Sequence, residues 1–326
     1  MKKLSDAQLV ISSIGYRGFV AAIRNFVLLK VLTNIFHIRF FERRVHNYKM
    51  ILDLRDKGVA KDLMIYGTRE KEHIFILQQE VQKDMAILDL GANIGYYSLM
   101  MAKLVGHQGK IYAVEPSFSN YSILNCNIIL NDLDGIVDSF NIGISDRTGI
   151  QKFYQSEKSN WHTFYPHVHR ESSTEELTED KAVALNVMTI DEFLKGKRNI
   201  DLIRMDVEGY EVEILIGLIP TLQDPNVKPK ILFETHQPRY DDLKHNMKEP
   251  LRLLFQSGYY VKILASDFHN NGGAEIYEKR GYTAYQIVNT DGTQRGLFND
   301  IKNDDAIHFI CDTKFVRTVL MERESL

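Results

Sequence analysis

Only two cysteines occur in 326 residues, Cys126 and Cys311, and their separation matches no metal-ligand or redox spacing. Both read as small buried apolar residues, and a reducing cytoplasm suits them. The apolar N-terminal stretch "FVAAIRNFVLLKVLTNIF" (19–36) is broken by Arg24 and Lys30. A spanning helix needs about 20 mostly apolar residues with few charges, so this stretch is not read as transmembrane. No small-residue cleavage site stands where a signal peptide would need one. There is no G-x-x-x-x-G-K-[ST], which excludes a P-loop, and no internal repeat. Disorder is not the default either, because 44% of the residues are apolar and 25% charged, ordinary values for a globular chain.

The formal net charge of -3 conceals an asymmetry. Residues 1–50 hold nine basic side chains against Asp6 and Glu42, and the rest of the chain holds 31 basic against 41 acidic. A basic end of this kind suits an anionic surface, whether lipid, nucleic acid or a partner. Residues 1–64 are therefore read as a basic helical extension that packs on the main domain, on a second subunit, or on an anionic membrane surface. Packing is favoured, since soluble chains usually bury such helices. Location is expected to be cytoplasmic, with peripheral membrane association as the variant. A nucleic-acid face is disfavoured because the remainder is acidic, without a basic stripe.

From about residue 85 short apolar runs alternate with helical patterns, which predicts βαβ units and a parallel sheet with helices on both faces. The expected strands are "AILDL" (86–90), "GKIYAVEP" (109–116), "VDSFNIGIS" (137–145), "IDLIRMDVEG" (200–209), "KPKILFETH" (228–236), one after Gly258, and "DAIHFICDT" (305–313), the last antiparallel. Helices are expected over 94–104 and 119–131 and after 209. Residues 150–187 break the pattern and read as an inserted hairpin or two with an acidic loop. Residues 267–304 read as loop, 65–316 as one domain and 317–326 as a tail.

"ILDLGANIGYYS" (87–98) is a buried strand running into a glycine turn and a helix, and Glu115 ends the next strand 20 residues beyond Gly95. An acid there accepts hydrogen bonds from the ribose hydroxyls of an adenosine cofactor. A dinucleotide turn would need glycine at Asn93 and Tyr96 so that the backbone could approach a diphosphate. S-adenosylmethionine has no phosphate. Its methionyl end can be served by Asp89, the turn amides and the helix N-terminus, with Asn93 as N-cap.

"LDLGANIGYYS", "VEPS", "IRMDVEGYEVEIL" and "LFETH", in that order, resemble the FkbM family of S-adenosylmethionine-dependent methyltransferases. The resemblance covers about residues 65–312 and implies a class I methyltransferase (Rossmann-like) fold, an α/β architecture with a seven-stranded sheet. It also implies O-methylation of a sugar, glycan or polyketide. Arg204 stands where the family usually has lysine. The resemblance implies that Gly91, Asn93 and Gly95 line the methionine part, Glu115 the ribose, and Ile144, Ser145 and Asp146 the adenine, with Ala92, Pro116 and Asp206 also near the cofactor. Ser145 and Asp146 read equally well as a plain turn.

Ligands of open α/β sheets bind beyond the carboxyl ends of the strands, which should bring Asp89, Glu115, Asp206, Glu234 and His236 to one crevice. His236 is the first choice for the base that takes the acceptor's proton, before Glu234 and Asp206, because it titrates nearest neutrality. Asp206, Glu234 and His236 could instead hold Mg²⁺. That reading is disfavoured, since magnesium prefers oxygen ligands and only two carboxylates are at hand. Trp161 and His162 in the insert, with Glu208 and His236, are candidates for the acceptor wall; Trp161 reads equally well as a hydrophobic plug and Glu208 as a local salt bridge. The alternatives to a saccharide O-methyltransferase are an NAD-binding oxidoreductase and a non-catalytic module that binds RNA or membrane.

Overall fold

The computed structural model describes residues 2–165, 181–240, 245–268 and 273–324. The chain begins with α1 (Lys2–Asn34), broken at Gly15, then a hairpin of β1 (Phe40–Val45) and β2 (Tyr48–Asp53), followed by α2 (Val59–Tyr66) and α3 (Lys71–Glu80). The N-terminal extension is thus not wholly helical. "FFERRV" and "YKMILD" alternate buried and exposed positions, the period of a strand with one covered face. The hairpin is tied down by Asn127, whose side chain accepts from the Ile51 N–H (2.6 Å) and donates to the Ile94 carbonyl (2.8 Å).

Next come β3 (Ala86–Leu90), α4 (Tyr96–Val105), β4 (Lys110–Val114), α5 (Phe118–Leu130) and β5 (Val137–Phe140). All five residues of β3 are buried because helices cover both faces of a parallel sheet, which is why "AILDL" does not alternate. The expected strand 137–145 divides at Asn141. Its second half, β6 (Gly143–Ile144), joins β7 (Gly149–Tyr154) and β8 (Ala182–Met188) in a separate three-stranded sheet, the inserted element. The acidic run 171–180 lies outside the described residues.

The remaining elements are α6 (Ile190–Leu194), whose Thr189 hydroxyl caps the Glu192 N–H (3.2 Å), then β9 (Leu202–Met205), α7 (Glu211–Leu218), β10 (Lys230–Glu234), α8 (Lys248–Gln256) and β11 (Tyr259–Asp267). They are followed by α9 (Gly273–Glu278), β12 (Gln286–Thr290), β13 (Thr293–Ile301), α10 (Asn303–Ile307) and β14 (Val316–Arg323).

The main sheet has nine strands, in the order β12-β13-β11-β14-β10-β9-β3-β4-β5. β5, β4, β3, β9 and β10 are mutually parallel, and β14 inserts antiparallel between β10 and β11. Without the edge hairpin β12–β13, these seven strands have the class I methyltransferase order.

Three expectations are corrected here. "DAIHFICDT" is not a strand: it forms α10 and a wide π-type turn, because a short apolar run reads alike as strand or buried helix. The last strand is instead Val316–Arg323, so the supposed tail lies at the sheet's centre. The supposed loop 267–304 supplies α9 and the edge hairpin.

Two apolar layers pack on opposite faces of the sheet. Neither cysteine is part of a closed interior: Cys126 is exposed on α5 and Cys311 half-buried, contrary to expectation. Among the described residues no helix is long and apolar enough to cross a membrane.

Candidate active site

The turn after β3 is shaped by backbone demands. Gly91 has φ +77°, and a Cβ there would collide with the main-chain oxygen of Asp206 at the end of β9. The Gly91 and Ala92 amides both donate to the Val114 carbonyl at 3.0 Å, which locks the turn to β4. Asn93 is also left-handed (φ +52°), a conformation asparagine tolerates better than most residues. It is not the helix cap: Gly95 takes that position, while the Asn93 side chain accepts from the Ile94 N–H (2.9 Å) and donates to the Ser159 carbonyl of the insert (2.9 Å). Gly91→Ala is expected to destabilise the fold by about 1–3 kcal/mol, from φ strain and overpacking, and to lower ligand affinity in the cleft. Thermal denaturation and calorimetric titration would measure both.

At the end of β4, Glu115 is 4% exposed. One carboxylate oxygen accepts from the Ser117 N–H (2.8 Å) and the other from the Asn93 N–H (2.7 Å). Burial nevertheless pushes its pKa up to about 7, against the pull of these amides. Asn141 fixes the strand end by donating to the Glu115 and Pro116 carbonyls, both at 2.9 Å.

These groups border a cleft that opens to solvent. Of the expected residues, Gly91, Ala92, Asn93, Glu115, Pro116, Ile144, His162, Asp206 and Glu208 line it. Asp89 does not. Its carboxylate is fully buried, accepting from the Ser98 hydroxyl (2.5 Å) and pairing with Arg204 (3.1 Å). Ser145 is likewise buried, bonded to the Tyr210 hydroxyl (2.8 Å), and Asp146 is exposed outside. Gly95 packs against Leu99 and Leu124. Trp161 stands off the lining with the Lys158 ammonium 3.3 Å from its ring centre. Arg69, Tyr96, Ser159 and Phe164 complete the wall. Tyr96 belongs to the glycine-turn segment and Ser159 and Phe164 to the insert, whereas no local pattern marks Arg69, which only long-range packing brings there.

Behind Asp206 lies a buried charged cluster. His236 presents Nε2 to Asp206 (3.8 Å), Glu208 (3.6 Å) and Glu234 (3.6 Å), while Nδ1 meets Glu211 at 2.8 Å. Glu211 also accepts from the Tyr240 hydroxyl (2.7 Å), and it lies well below the usual carboxylate range, at about 2, because His236 and these hydrogen bonds outweigh burial. Although burial alone would lower it, His236 is raised to about 9 by Glu211, then Glu208 and Glu234. The ring is therefore an imidazolium at neutral pH. Glu234 is pushed up to about 8, first by burial and then by Asp206 and Glu70, against Arg317. Asp206 is raised by burial against Arg204.

Since the folded value for His236 lies above its ordinary 6.5, its ion pairing stabilises the fold fully below 6.5 and is lost as pH rises through about 9. Wild-type Tm is expected to fall over that interval more steeply than that of His236→Gln; parallel curves would refute this.

Single ligand atoms of Asp206, Glu234 and His236 lie within 4.8 Å of one another, close enough for one cation. Each carboxylate, however, already has a guanidinium: Asp206 pairs with Arg204 (3.0 Å) and Glu234 with Arg317. Arg239 pairs with Glu208 in the same way. With these cations already balancing the carboxylates and a histidine nitrogen as the third donor, the set fits magnesium, which prefers oxygen ligands, poorly.

The Methyltransferase FkbM domain matches residues 89–261, from Asp89 on β3 into β11. The chain belongs to this family. Among curated proteins it is similar to Methyltransferase sdnD of Sordaria araneosa (29% identical over 155 residues, 40% of this chain and 60% of that protein). It is also similar to Hexuronic acid methyltransferase AglP of Haloferax volcanii (23% over 171 residues, 51% and 62%). The chain thus spans about 60% of the length of these relatives. Among solved structures, a Methyltransferase FkbM from Methylobacillus flagellatus KT is 15% identical, with 85% of this chain and 59% of that one covered and a TM-score of 0.38. M. jannaschii TYW2 in complex with AdoMet is 13% identical, with 88% and 87% covered and a TM-score of 0.40.

Proposed function

We propose that this FkbM-domain protein transfers a methyl group from S-adenosylmethionine to a hydroxyl of a saccharide or saccharide-bearing acceptor. The observation that carries the reading is Glu115. Each of its oxygens is held by a main-chain amide, Asn120 also donates to the carboxylate, and the lone pairs left over suit the hydroxyls of a ribose. The bare backbone at Gly91, which Asp206 forbids any side chain to cover, fits a ligand laid close against the turn. Tyr96 occupies the place where a diphosphate cradle would need glycine, which disfavours the NAD reading.

When bound, the cofactor supplies an electrophilic sulfonium methyl, and the protein has to align the acceptor oxygen and take its proton. Alignment is worth up to about 7–11 kcal/mol. Of the three candidate bases only Asp206 lines the cleft, and His236, already protonated, stands behind it. Asp206 is therefore assigned as the base, with His236 and Glu211 positioning it and Arg204 balancing its charge.

Beside the cleft, and sharing Arg69 with it, is a second cavity of about 330 Å³ bordered by Asp62, Glu70, Lys71, Asp291, Arg295 and Arg317. Donors and acceptors of both signs suit a polyhydroxylated acceptor, and the similarity to a hexuronic acid methyltransferase supports a sugar. Incubation with labelled S-adenosylmethionine and a glycan extract, followed by mass analysis, should show label on a sugar oxygen. Label on lipid or protein instead would refute the acceptor class, and absence of S-adenosylhomocysteine binding would refute the cofactor.

A further inference from the structure

The N-terminal helix carries two apolar stripes, and the protein uses only one of them. Ala22, Asn25, Leu29 and Leu32 are buried, and the Asn25 side chain donates to the Ile65 carbonyl (2.9 Å) at the end of α2. On a helical wheel Tyr16, Val20, Ile23 and Val27 fall diametrically opposite, and they are 72, 49, 52 and 54% exposed. The exposure continues past the helix end at Ile35, Phe36, Ile38 and Phe40. With Phe26 and Leu28, ten of the 17 exposed large apolar side chains among the described residues lie within residues 16–40. Scattered exposed apolar groups need no explanation, but a concentration of this kind marks an interaction surface.

Charge decides between occupants. Residues 7–41 contain no aspartate or glutamate, and Arg17, Arg24, Lys30 and Arg39 are all exposed among the apolar groups. Arg17 and Arg24 flank the stripe on one side of the wheel and Lys30 on the other. Arg39 already pairs with Asp53 (3.0 Å), but a second copy docked face to face would set Arg17, Arg24 and Lys30 against their own images with no acid within residues 7–41 to offset them. An anionic bilayer pairs with the cations and takes up the apolar stripe, and the acidic remainder of the chain is repelled toward water.

We infer that residues 16–40 form a docking surface for an anionic lipid membrane, on which the helix lies in the interface plane without crossing it.

The test is co-sedimentation of the full chain with vesicles of phosphatidylcholine alone and of equal parts phosphatidylcholine and phosphatidylglycerol. Binding is expected to the anionic vesicles, weaker by about tenfold or more on neutral ones, and to fall with added salt. Val27→Asp should abolish it, and Arg24→Gln with Lys30→Gln should weaken it by about fivefold for each charge removed. These side chains are exposed, and an unchanged Tm would confirm that the fold is kept. Equal binding to both vesicle types, no binding to either, or full binding by Val27→Asp would each overturn the proposal. So would a concentration-dependent dimer that Val27→Asp dissociates, because the stripe would then belong to a second copy of the chain.

Discussion

Replacing Arg204 with methionine is expected to cost about 3–5 kcal/mol of stability, because it leaves buried carboxylates without their counter-charge. Arg204 is 1% exposed. Its guanidinium reaches Asp89 (3.1 Å), the Gly91 carbonyl (3.3 Å) and Asp206 (3.0 Å), and it stacks 4.3 Å from the Tyr97 ring centre. One planar cation thus neutralises the carboxylate at the end of β3 and the one just beyond β9. Arg204→Lys keeps the charge, but a compact ammonium cannot span all three oxygens or stack on the tyrosine, so an intermediate loss of about 1–3 kcal/mol is expected. Arg204→Met combined with Asp89→Asn should recover part of the loss by removing the stranded charge. Urea denaturation of the three variants decides the matter. If Arg204→Met stays within about 1 kcal/mol of wild type, the pairing described here does not govern the fold.

Glu115→Ala is expected to weaken S-adenosylhomocysteine binding by about a hundredfold or more, the scale of two hydrogen bonds to a charged acceptor. It also strips the Asn93 and Ser117 amides of their acceptor, loosening the turn itself. Glu115→Gln retains one acceptor oxygen and should fall between. Because the carboxyl titrates at about 7, cofactor binding should have a pH signature. Ribose hydroxyls donate to the ionised form and draw the pKa down, so binding near and below pH 7 must expel a proton. Affinity should then fall as pH drops below about 7, and binding heats should depend on the buffer's ionisation enthalpy. Heats independent of buffer, or an unchanged affinity in Glu115→Ala, would remove this residue from the cofactor's site.

Most of the parallel sheet was legible from residue patterns. "AILDL" and "GKIYAVEP" could be placed to within a residue or two because their burial on both faces leaves a continuous apolar run. The end of the chain was misread for the complementary reason. "AIHFIC" is equally apolar but folds as helix and turn, while "VRTVLMER", with charges at both ends, is a central strand whose Arg317 pairs with Glu234. Among the site residues, the glycine turn and Glu115 follow from spacing along one strand–turn–helix unit. The expectation that Asp89 faces the cleft did not hold, since only the fold brings Arg204 and Ser98 to it. His236 was the first choice as base on its free-solution titration, but the acidic groups around it, Glu211 first and then Glu208, hold it as a cation, and Asp206 holds the cleft-facing position.

The sequence by itself determined the alternation of strands and helices, the left-handed turn at Gly91 and the acid that ends the second strand. Each of these depends on main-chain conformation and on side-chain spacing within a few residues. Tertiary structure alone decided which carboxylates are spent on arginines and which open to the cleft, where the final strand inserts, and which stripe of the first helix is left uncovered. Those outcomes depend on groups far apart in sequence that meet only after packing, where burial and counter-charge reset what each side chain can do.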